Sequence, residues 1–159
     1  MAYVIFCISA SEGVISRTIA SSHDSYVHTI VLPSPSVHAQ VPISSYNVFA
    51  SAAKDSTLLL WDLRCAQSIT RFNGHVNRRE QIGCSFSPCL KFLAIGSEDR
   101  CARIYDIVAG REIAKLPPQK DVASCVAFNP LTPQLACGSF DGSVRFYSSL
   151  HNDTNIFNE

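Results

Sequence analysis

Apolar and polar residues alternate in the same way along three stretches of the chain. In each stretch an apolar run ends in a turn of small residues that contains an aspartate: Asp55, Asp99 or Asp141. Aspartate favours such turns because its side chain accepts hydrogen bonds from nearby backbone N–H groups. A second run follows, in which apolar residues recur at every other position, as on one face of a β-strand. The pattern therefore predicts pairs of short strands joined by tight turns.

The second run of each unit has two faces of different character. Arg103 and Arg145 lie between the apolar residues of their runs and are assigned to the opposite face. Leu59 takes the equivalent place in the first unit, so this unit is expected to be apolar on both faces. The apolar pairs, two positions apart, are Leu58 and Leu60, Ala102 and Ile104, and Val144 and Phe146.

The three units form an internal repeat. Their aspartates are 44 and 42 residues apart, and each is followed six positions later by an aromatic residue. A further apolar run precedes each unit, so each repeat contains several short strands with turns between them. The aromatic residues are Trp61, Tyr105 and Tyr147, and the preceding runs contain Val27, Ile30 and Leu32, then Cys84 and Phe86, then Val126 and Phe128.

Several short motifs recur in order at the period expected of such a repeat, about 40–45 residues. With these motifs the chain resembles the WD-repeat family over roughly residues 3–148. The motifs are Trp61-Asp62, its variant Tyr105-Asp106, Gly74-His75, Ser87-Pro88 and the turn Gly96–Asp99.

The resemblance implies an all-β fold, a partial β-propeller with blades of four antiparallel strands, a to d. Two complete blades are expected, with a partial blade at each end, and the last blade lacks a convincing strand d. A polar C-terminal tail follows. The predicted propeller segment is 1–148, with a partial blade at 3–19, blades at 26–72 and 82–116, a partial blade at 123–148 and the tail at 149–159.

Propellers usually have four to eight blades, and this chain supplies about three and a half by count of strands. The apolar faces at both ends of such an arc would be bare. Because bare strand edges aggregate, we expect a fragment or short isoform of a larger WD-repeat propeller. The alternative is an arc that closes by pairing with another copy of the chain, so self-association through exposed blade faces is also considered.

The resemblance also implies a buried hydrogen-bond network of His, Ser or Thr, Asp and Trp inside a blade, which would tie the loop before strand a to the b–c turn. Such a network stabilises a blade only when all of its polar groups are satisfied. Ile95 takes the serine position in the second blade, and Gln119 and Cys137 take the His and Ser positions in the third. The expected members are His23, Ser51, Asp55 and Trp61, then His75, Asp99 and Tyr105, then Asp141 and Tyr147.

The same side chains raise the alternative of a hydrolase that uses His23 and Ser51. A serine nucleophile needs an exposed, strained turn with oxyanion donors beside it, whereas Ser51 lies within an apolar run. The sequence contains no G-x-S-x-G, P-loop, G-x-G-x-x-G or metal-binding motif. We therefore predict no catalytic activity, no cofactor and no metal site.

Charge and cysteine content narrow the choice of partners and compartment. Lys and Arg number 13 and Asp and Glu also number 13, so the basic excess that favours nucleic acids or anionic membranes is missing. The seven cysteines are odd in number and form no C-x-x-C pair, which predicts reduced, buried thiols rather than disulfides or a zinc site. These features favour an intracellular protein, cytoplasmic or nuclear, that binds neither nucleic acid nor membrane.

In the family, partners often dock on one rim of the ring, where the b–c turns meet the loops before strand a. The predicted function is therefore a protein–protein interaction scaffold that binds other proteins or peptides. The alternatives are a truncated product without independent function, a hydrolase or a nucleic-acid-binding module. The residues assigned to the partner rim are Arg78, Arg79, Glu98, Arg100 and Phe140.

Overall fold

The structure, a computed structural model, describes residues 5–8, 11–19, 22–34, 41–65 and 67–148. These residues fold mainly into β-strands, which form four sheets that follow one another along the chain. Every strand pairs antiparallel with a sequence neighbour, so no crossover connection is needed.

We number the sheets I to IV in chain order. Sheet I comprises β1 (Ile5–Ile8) and β2 (Ile15–Ile19). Sheet II comprises β3 (Val27–Val31), β4 (Val48–Ala53), β5 (Leu58–Asp62) and β6 (Ser68–Phe72). Sheet III comprises β7 (Cys84–Phe86), β8 (Phe92–Ile95), β9 (Arg103–Asp106) and β10 (Arg111–Lys115). Sheet IV comprises β11 (Ala123–Phe128), β12 (Gln134–Ser139) and β13 (Val144–Ser148).

The predicted all-β architecture is confirmed, with two complete four-stranded sheets and a partial sheet at each end. A short 3-10 helix, Ile43–Tyr46, lies before β4, and the sequence pattern did not predict it. The predicted tail, 149–159, lies outside the described residues. Among the described residues, no helix has the length and apolar character needed to cross a bilayer, and no group of His, Cys, Asp and Glu is arranged to hold a metal ion.

Apolar clusters fill the spaces between successive sheets. Each fully buried Leu, Ile or Phe side chain stabilises the fold by about 1.5–3 kcal/mol, so these contacts hold the sheets together. Ile5, Ile19 and Trp61 are prominent between sheets I and II. Between sheets II and III lie Ala50, Ala52, Leu58, Leu60, Phe72, Ile82, Cys84, Phe86, Leu93, Ile95 and Tyr105. Between sheets III and IV lie Ala94, Ala102, Ala123, Val126, Leu135 and Cys137.

The predicted faces of β5 are confirmed. Leu58 and Leu60 are buried against sheet III, while Leu59 is buried on the other side in the cluster shared with sheet I. Sheet II is therefore covered on both sides, which explains why its third strand is apolar at consecutive positions. In the same way, Arg103 is directed away from the face that Ala102 presents to sheet IV.

Sheets III and IV approach each other closely at Gly96. The bridge beside it joins Ser97 to Ala123, with N–H···O distances of 2.9 and 3.1 Å in the two directions. A Cβ at Gly96 would overlap the backbone carbonyl of Ala123, so only glycine allows this approach.

The prediction of buried cysteines is right for Cys84, Cys101 and Cys137 but wrong for three others. Burial raises the pKa of the Cys84 thiol to about 12 and that of Cys137 to about 11, which leaves both thiols protonated and unreactive. The apolar sequence context was misleading because Cys65 and Cys89 lie in turns between strands, while Cys125 lies on a sheet face that no described sheet covers. The exposed cysteines are Cys65, Cys89 and Cys125.

Candidate interaction rim

One end of sheets II to IV is built from alternating turns and loops, which we call the rim. In an antiparallel sheet the second and fourth strands run in the same direction, so the turn after the second strand and the loop after the fourth lie at the same end. The rim comprises the turns 54–57, 97–100 and 140–143 and the loops 73–83 and 117–122.

In sheet II the expected four side chains meet in one network. His23 Nε2 lies 2.7 Å from Ser51 Oγ, and Trp61 Nε1 donates to the same oxygen over 2.8 Å. On the other side of the ring, His23 Nδ1 lies 2.8 Å from Thr57 Oγ1 and 3.2 Å from Asp55 Oδ2. Ser51 is fully buried in β4, and the imidazole is buried as well. The network thus joins the chain segment before β3 to both strands of the β4–β5 hairpin.

Proton positions in this network follow from the donors. Because Trp61 donates to Ser51, the serine hydroxyl is free to donate to Nε2 of His23, and Nδ1 then carries the imidazole hydrogen. Burial lowers the pKa of His23 although Asp55 opposes this effect, so the ring is neutral at neutral pH. Burial alone would raise the pKa of Asp55, but hydrogen bonds from Thr57 and from the Asp24 N–H hold it below the usual value.

The surroundings of Ser51 can be compared with those that a hydrolase requires of its nucleophile. Ser51 has no exposed surface, and its oxygen already contacts both the imidazole and the indole N–H. A nucleophile must reach a substrate carbonyl beside oxyanion donors, and this serine is enclosed within the sheet. The arrangement therefore suits a structural role.

In sheet III the expected residues do not form one network. Tyr105 donates to the Asn73 carbonyl over 2.8 Å, and its hydroxyl is 3.4 Å from His75 Nδ1. Asp99 binds Arg103 instead, at 3.0 and 2.6 Å. Ile95, at the serine position, has no side-chain hydrogen-bonding group and packs in the apolar core. Burial, followed by the charge of Arg103, lowers the pKa of His75 to about 4, so this ring is neutral too.

Ser97, which sequence reasoning missed, fixes loop 73–83 in sheet III. Its hydroxyl accepts from the Val76 N–H at 2.9 Å and lies 3.3 Å from the Val76 carbonyl, to which it can donate. Ser97 stands two positions after the replaced serine site and is fully buried. The sequence held one signal for this role, since a small polar residue before the turn aspartate also occurs at Ser139.

Sheet IV keeps a comparable link with different atoms. Gln119 Nε2 donates to Cys137 Sγ over 2.7 Å, so the loop before β11 is joined to the second strand of the sheet. The Tyr147 hydroxyl lies 3.5 Å from the Pro117 carbonyl. Asp141 does not join this link, because it accepts from the N–H and hydroxyl of Ser143 within its own turn.

Glu98 organises the most exposed part of the rim. Its Oε1 accepts from three consecutive backbone N–H groups, those of Arg78, Arg79 and Glu80, at 2.7, 2.6 and 2.9 Å. Burial alone would raise the pKa of Glu98, but these three donors hold it below its usual value. Lys54 donates to the Arg79 carbonyl over 2.6 Å from the other side. The backbone of this loop is therefore held on two sides, while both arginine side chains are exposed.

The remaining rim residues lie in the next two turns. Arg100 is exposed, has a φ of 71°, and its carbonyl accepts from the Gln119 N–H over 2.8 Å. Phe140 is 52% exposed, and its N–H donates to the Val122 carbonyl over 3.1 Å. Both turns are thus hydrogen-bonded to loop 117–122, and Glu98 joins turn 97–100 to loop 73–83 as well, which makes the rim one continuous surface.

The comparisons with known proteins agree with this architecture. The family model described as WD domain, G-beta repeat matches residues 66–106 and 110–148, together about half of the chain. The LEC14B homolog of Prunus armeniaca is 34% identical over 82 residues, covering 49% of this chain and 17% of that protein. WD repeat domain-containing protein 83 of Danio rerio is 29% identical over 103 residues, covering 65% of this chain and 32% of that protein. The chain thus spans about a third or less of the length of these relatives.

Solved structures give the same result for the fold. The structure of U3-55K superposes with a TM-score of 0.67 at 19% identity, covering 83% of this chain and 38% of that one. The crystal structure of RRP9 WD40 repeats superposes with a TM-score of 0.69 at 19% identity, covering 86% of this chain and 40% of that one. This likeness confirms the predicted partial propeller.

Proposed function

This chain belongs to the WD-repeat family, and from that premise we propose that it is a non-catalytic scaffold that binds other proteins or peptides through its rim. The observation that carries the proposal is the combination of a fixed backbone with exposed arginine and aromatic side chains. Glu98 holds the backbone of Arg78 and Arg79, while Phe140 is half exposed in a turn of the same surface. Arginine and aromatic residues are enriched at the energetic centres of protein interfaces.

A rigid backbone favours this role because binding then orders few additional residues. The rim residues also combine charges of both signs with an aromatic ring, which suits a protein surface better than a phosphate backbone. The buried contacts of His23 and Ser51 support a structural role for the histidine–serine network rather than catalysis. The cysteines are free thiols, which supports an intracellular location, cytoplasmic or nuclear.

The test compares partners of the wild-type chain and of a rim variant with Arg78→Glu and Arg79→Glu. Both side chains are exposed, so the fold is expected to persist, and charge reversal at an interface discriminates strongly between partners. Quantitative mass spectrometry of proteins co-purified from cells is expected to show loss of the specific partners in this variant.

The matched control is Lys91→Glu with Arg111→Glu, the same charge change at exposed positions away from the rim. The control is expected to retain the partners. If both variants lose the same proteins, or neither loses any, the rim is not the binding surface.

A second hypothesis is that the chain is a truncated product without independent function. It is favoured by the relatives' greater length and by the bare outer face of sheet IV. Within the family, we infer that 72–148 resembles the later repeats of WD repeat-containing protein 27. Transcripts that join this sequence to the upstream repeats of that protein are expected, and a separate locus without such repeats would contradict the inference.

A further inference from the structure

The outer face of sheet IV is apolar and uncovered within the described residues. In the strand register, Cys125 lies opposite Gly138 and Ala127 lies opposite Ala136. Gly138 and Ala136 in turn lie opposite Val144 and Phe146, so all six residues share one face of the sheet. Val144 is 51% and Phe146 47% exposed, and Cys125 and Ala127 are exposed too. The opposite face, with Val126, Leu135 and Cys137, is buried against sheet III.

The equivalent positions of the two preceding sheets are covered by the next sheet. Val144 and Phe146 correspond in the repeat to Leu58 and Leu60, which are 0% and 2% exposed. In sheet III the counterparts of Val144 and Ala136 are Ala102 and Ala94, which are 1% and 0% exposed. The face of sheet IV thus continues an interface that the chain forms twice internally, with its covering layer absent from the described residues.

The outer face of sheet IV is shaped so that two copies of it can pack against each other. Its large apolar side chains, Val144 and Phe146, stand on the edge strand β13. On this face β11 and β12 present the small residues Cys125, Ala127, Ala136 and Gly138, with the polar Gln134 at the start of β12. When two such faces meet around a twofold axis, the β13 ridge of each copy can rest on the small residues of the other. Interiors are stable when large and small residues interdigitate in this way.

We propose that two copies of this chain associate face to face through sheet IV, with Val144 and Phe146 of each copy packed on Cys125, Ala127 and Ala136 of the other. A contact of this kind buries the same patch on both copies and closes after two molecules. The chain carries equal numbers of basic and acidic residues, so net charge provides little repulsion between the copies. The interface is distinct from the rim, so it does not depend on the proposed scaffold role.

Self-association is tested on the purified 159-residue chain by sedimentation velocity over a wide concentration range. The expected result is a concentration-dependent change from 17.4 kDa to twice that mass, without larger species. The variant Phe146→Lys is expected to remain monomeric at every concentration, because a charged side chain would be buried in the interface. The matched control is Val108→Lys at a turn residue that is 90% exposed, and it is expected to dimerise like the wild type.

A second readout uses the wild-type chain alone. Maleimide labelling of Cys125, mapped by peptide mass spectrometry, is expected to slow several-fold as dimers form, while labelling of exposed Cys65 stays constant. A monomer throughout, a dimer unaffected by Phe146→Lys, unprotected Cys125 in the dimer, or a series of growing oligomers would each overturn the proposal. Circular dichroism checks that both variants are folded.

Discussion

At the scale of single residues, the blades differ in how their buried polar groups are satisfied. In sheet II, Ser51 contacts both His23 and Trp61, and the network includes Thr57, which the family resemblance did not identify. In sheet III, Ile95 stands at the serine position and has no hydroxyl, and Asp99 accepts hydrogen bonds from Arg103. Two replacements thus separate the blades: Ile95 stands where sheet II has Ser51, and Arg103, the partner of Asp99, stands where sheet II has Leu59.

Ser51→Ala is expected to lower the free energy of unfolding by about 3 kcal/mol. The substitution leaves His23 Nε2 and Trp61 Nε1 without a partner in a fully buried site, and each unsatisfied group costs about 1–3 kcal/mol. Urea unfolding followed by circular dichroism measures the change.

Ser68→Ala, on the exposed surface of β6, is the control and is expected to change stability by about 0.5 kcal/mol or less. The same variants separate structure from catalysis. A Ser51→Ala protein of unchanged stability that had lost a hydrolytic activity would support the hydrolase alternative.

At the scale of elements, different interactions determine the conformation of the strands and that of the loops. The strands follow from alternation, as Val144 and Phe146 on either side of Arg145 illustrate, whereas loop 73–83 has no repeating pattern. Glu98 of one turn and Lys54 of another hold this loop by its backbone. Together with Ser97, these side chains order the loop although they are distant from it in sequence.

Glu98→Ala is expected to loosen residues 78–80 without unfolding the sheets. The substitution removes the common acceptor of three N–H groups, and hydrogen bonds to charged groups are worth about 1.5–3 kcal/mol each. Hydrogen exchange of the three amides is expected to accelerate by about tenfold or more.

Glu80→Ala, an exposed side chain in the same loop, serves as the control and is expected to leave exchange at residues 78 and 79 near the wild-type rate. Equal exchange rates in all three proteins would show that the carboxylate of Glu98 does not hold the loop.

At the scale of the whole molecule, stability comes from sheets that stack on one another. The cluster between sheets II and III combines large side chains, such as Tyr105 and Phe86, with small ones, such as Ala50 and Ala52. In stacked repeats each unit depends on its neighbours for burial, so damage at one junction spreads to both sheets.

Gly96→Ala is expected to disturb the packing of sheet III on sheet IV and to lower the free energy of unfolding by about 2 kcal/mol or more. The new Cβ would overlap the Ala123 carbonyl, which is backbone and cannot move aside without breaking the Ser97–Ala123 bridge. Thermal unfolding and labelling of buried Cys137 report the loss, since Cys137 lies in the cluster between these sheets.

Gly142→Ala provides the comparison. Its φ is +84°, but a Cβ there would meet nothing within 4 Å. The free energy of unfolding is therefore expected to fall by only about 1 kcal/mol, because of the strained backbone conformation alone. A Gly96→Ala protein no less stable than Gly142→Ala would contradict the close approach of the two sheets.

The sequence by itself determined the strands, their faces and the order of the blades. These features are local, because alternation such as that at Val144 and Phe146 and an aspartate in each turn act within a few residues. The same local signals could not show that Ser97 and Glu98 hold loop 73–83, or that Cys125 lies on an open face.

Only the tertiary structure decided those features, because they depend on which sheet lies beside which. The pairing of Asp99 with Arg103 is local by contrast, because Arg103 lies four residues further along the chain. This charge-assisted pairing is stronger than a neutral hydrogen bond to His75 would be. Val144 and Phe146 share the pattern of buried Leu58 and Leu60, yet they are exposed because no described sheet covers them. Pattern determines which face is apolar, and packing determines whether that face meets protein or water.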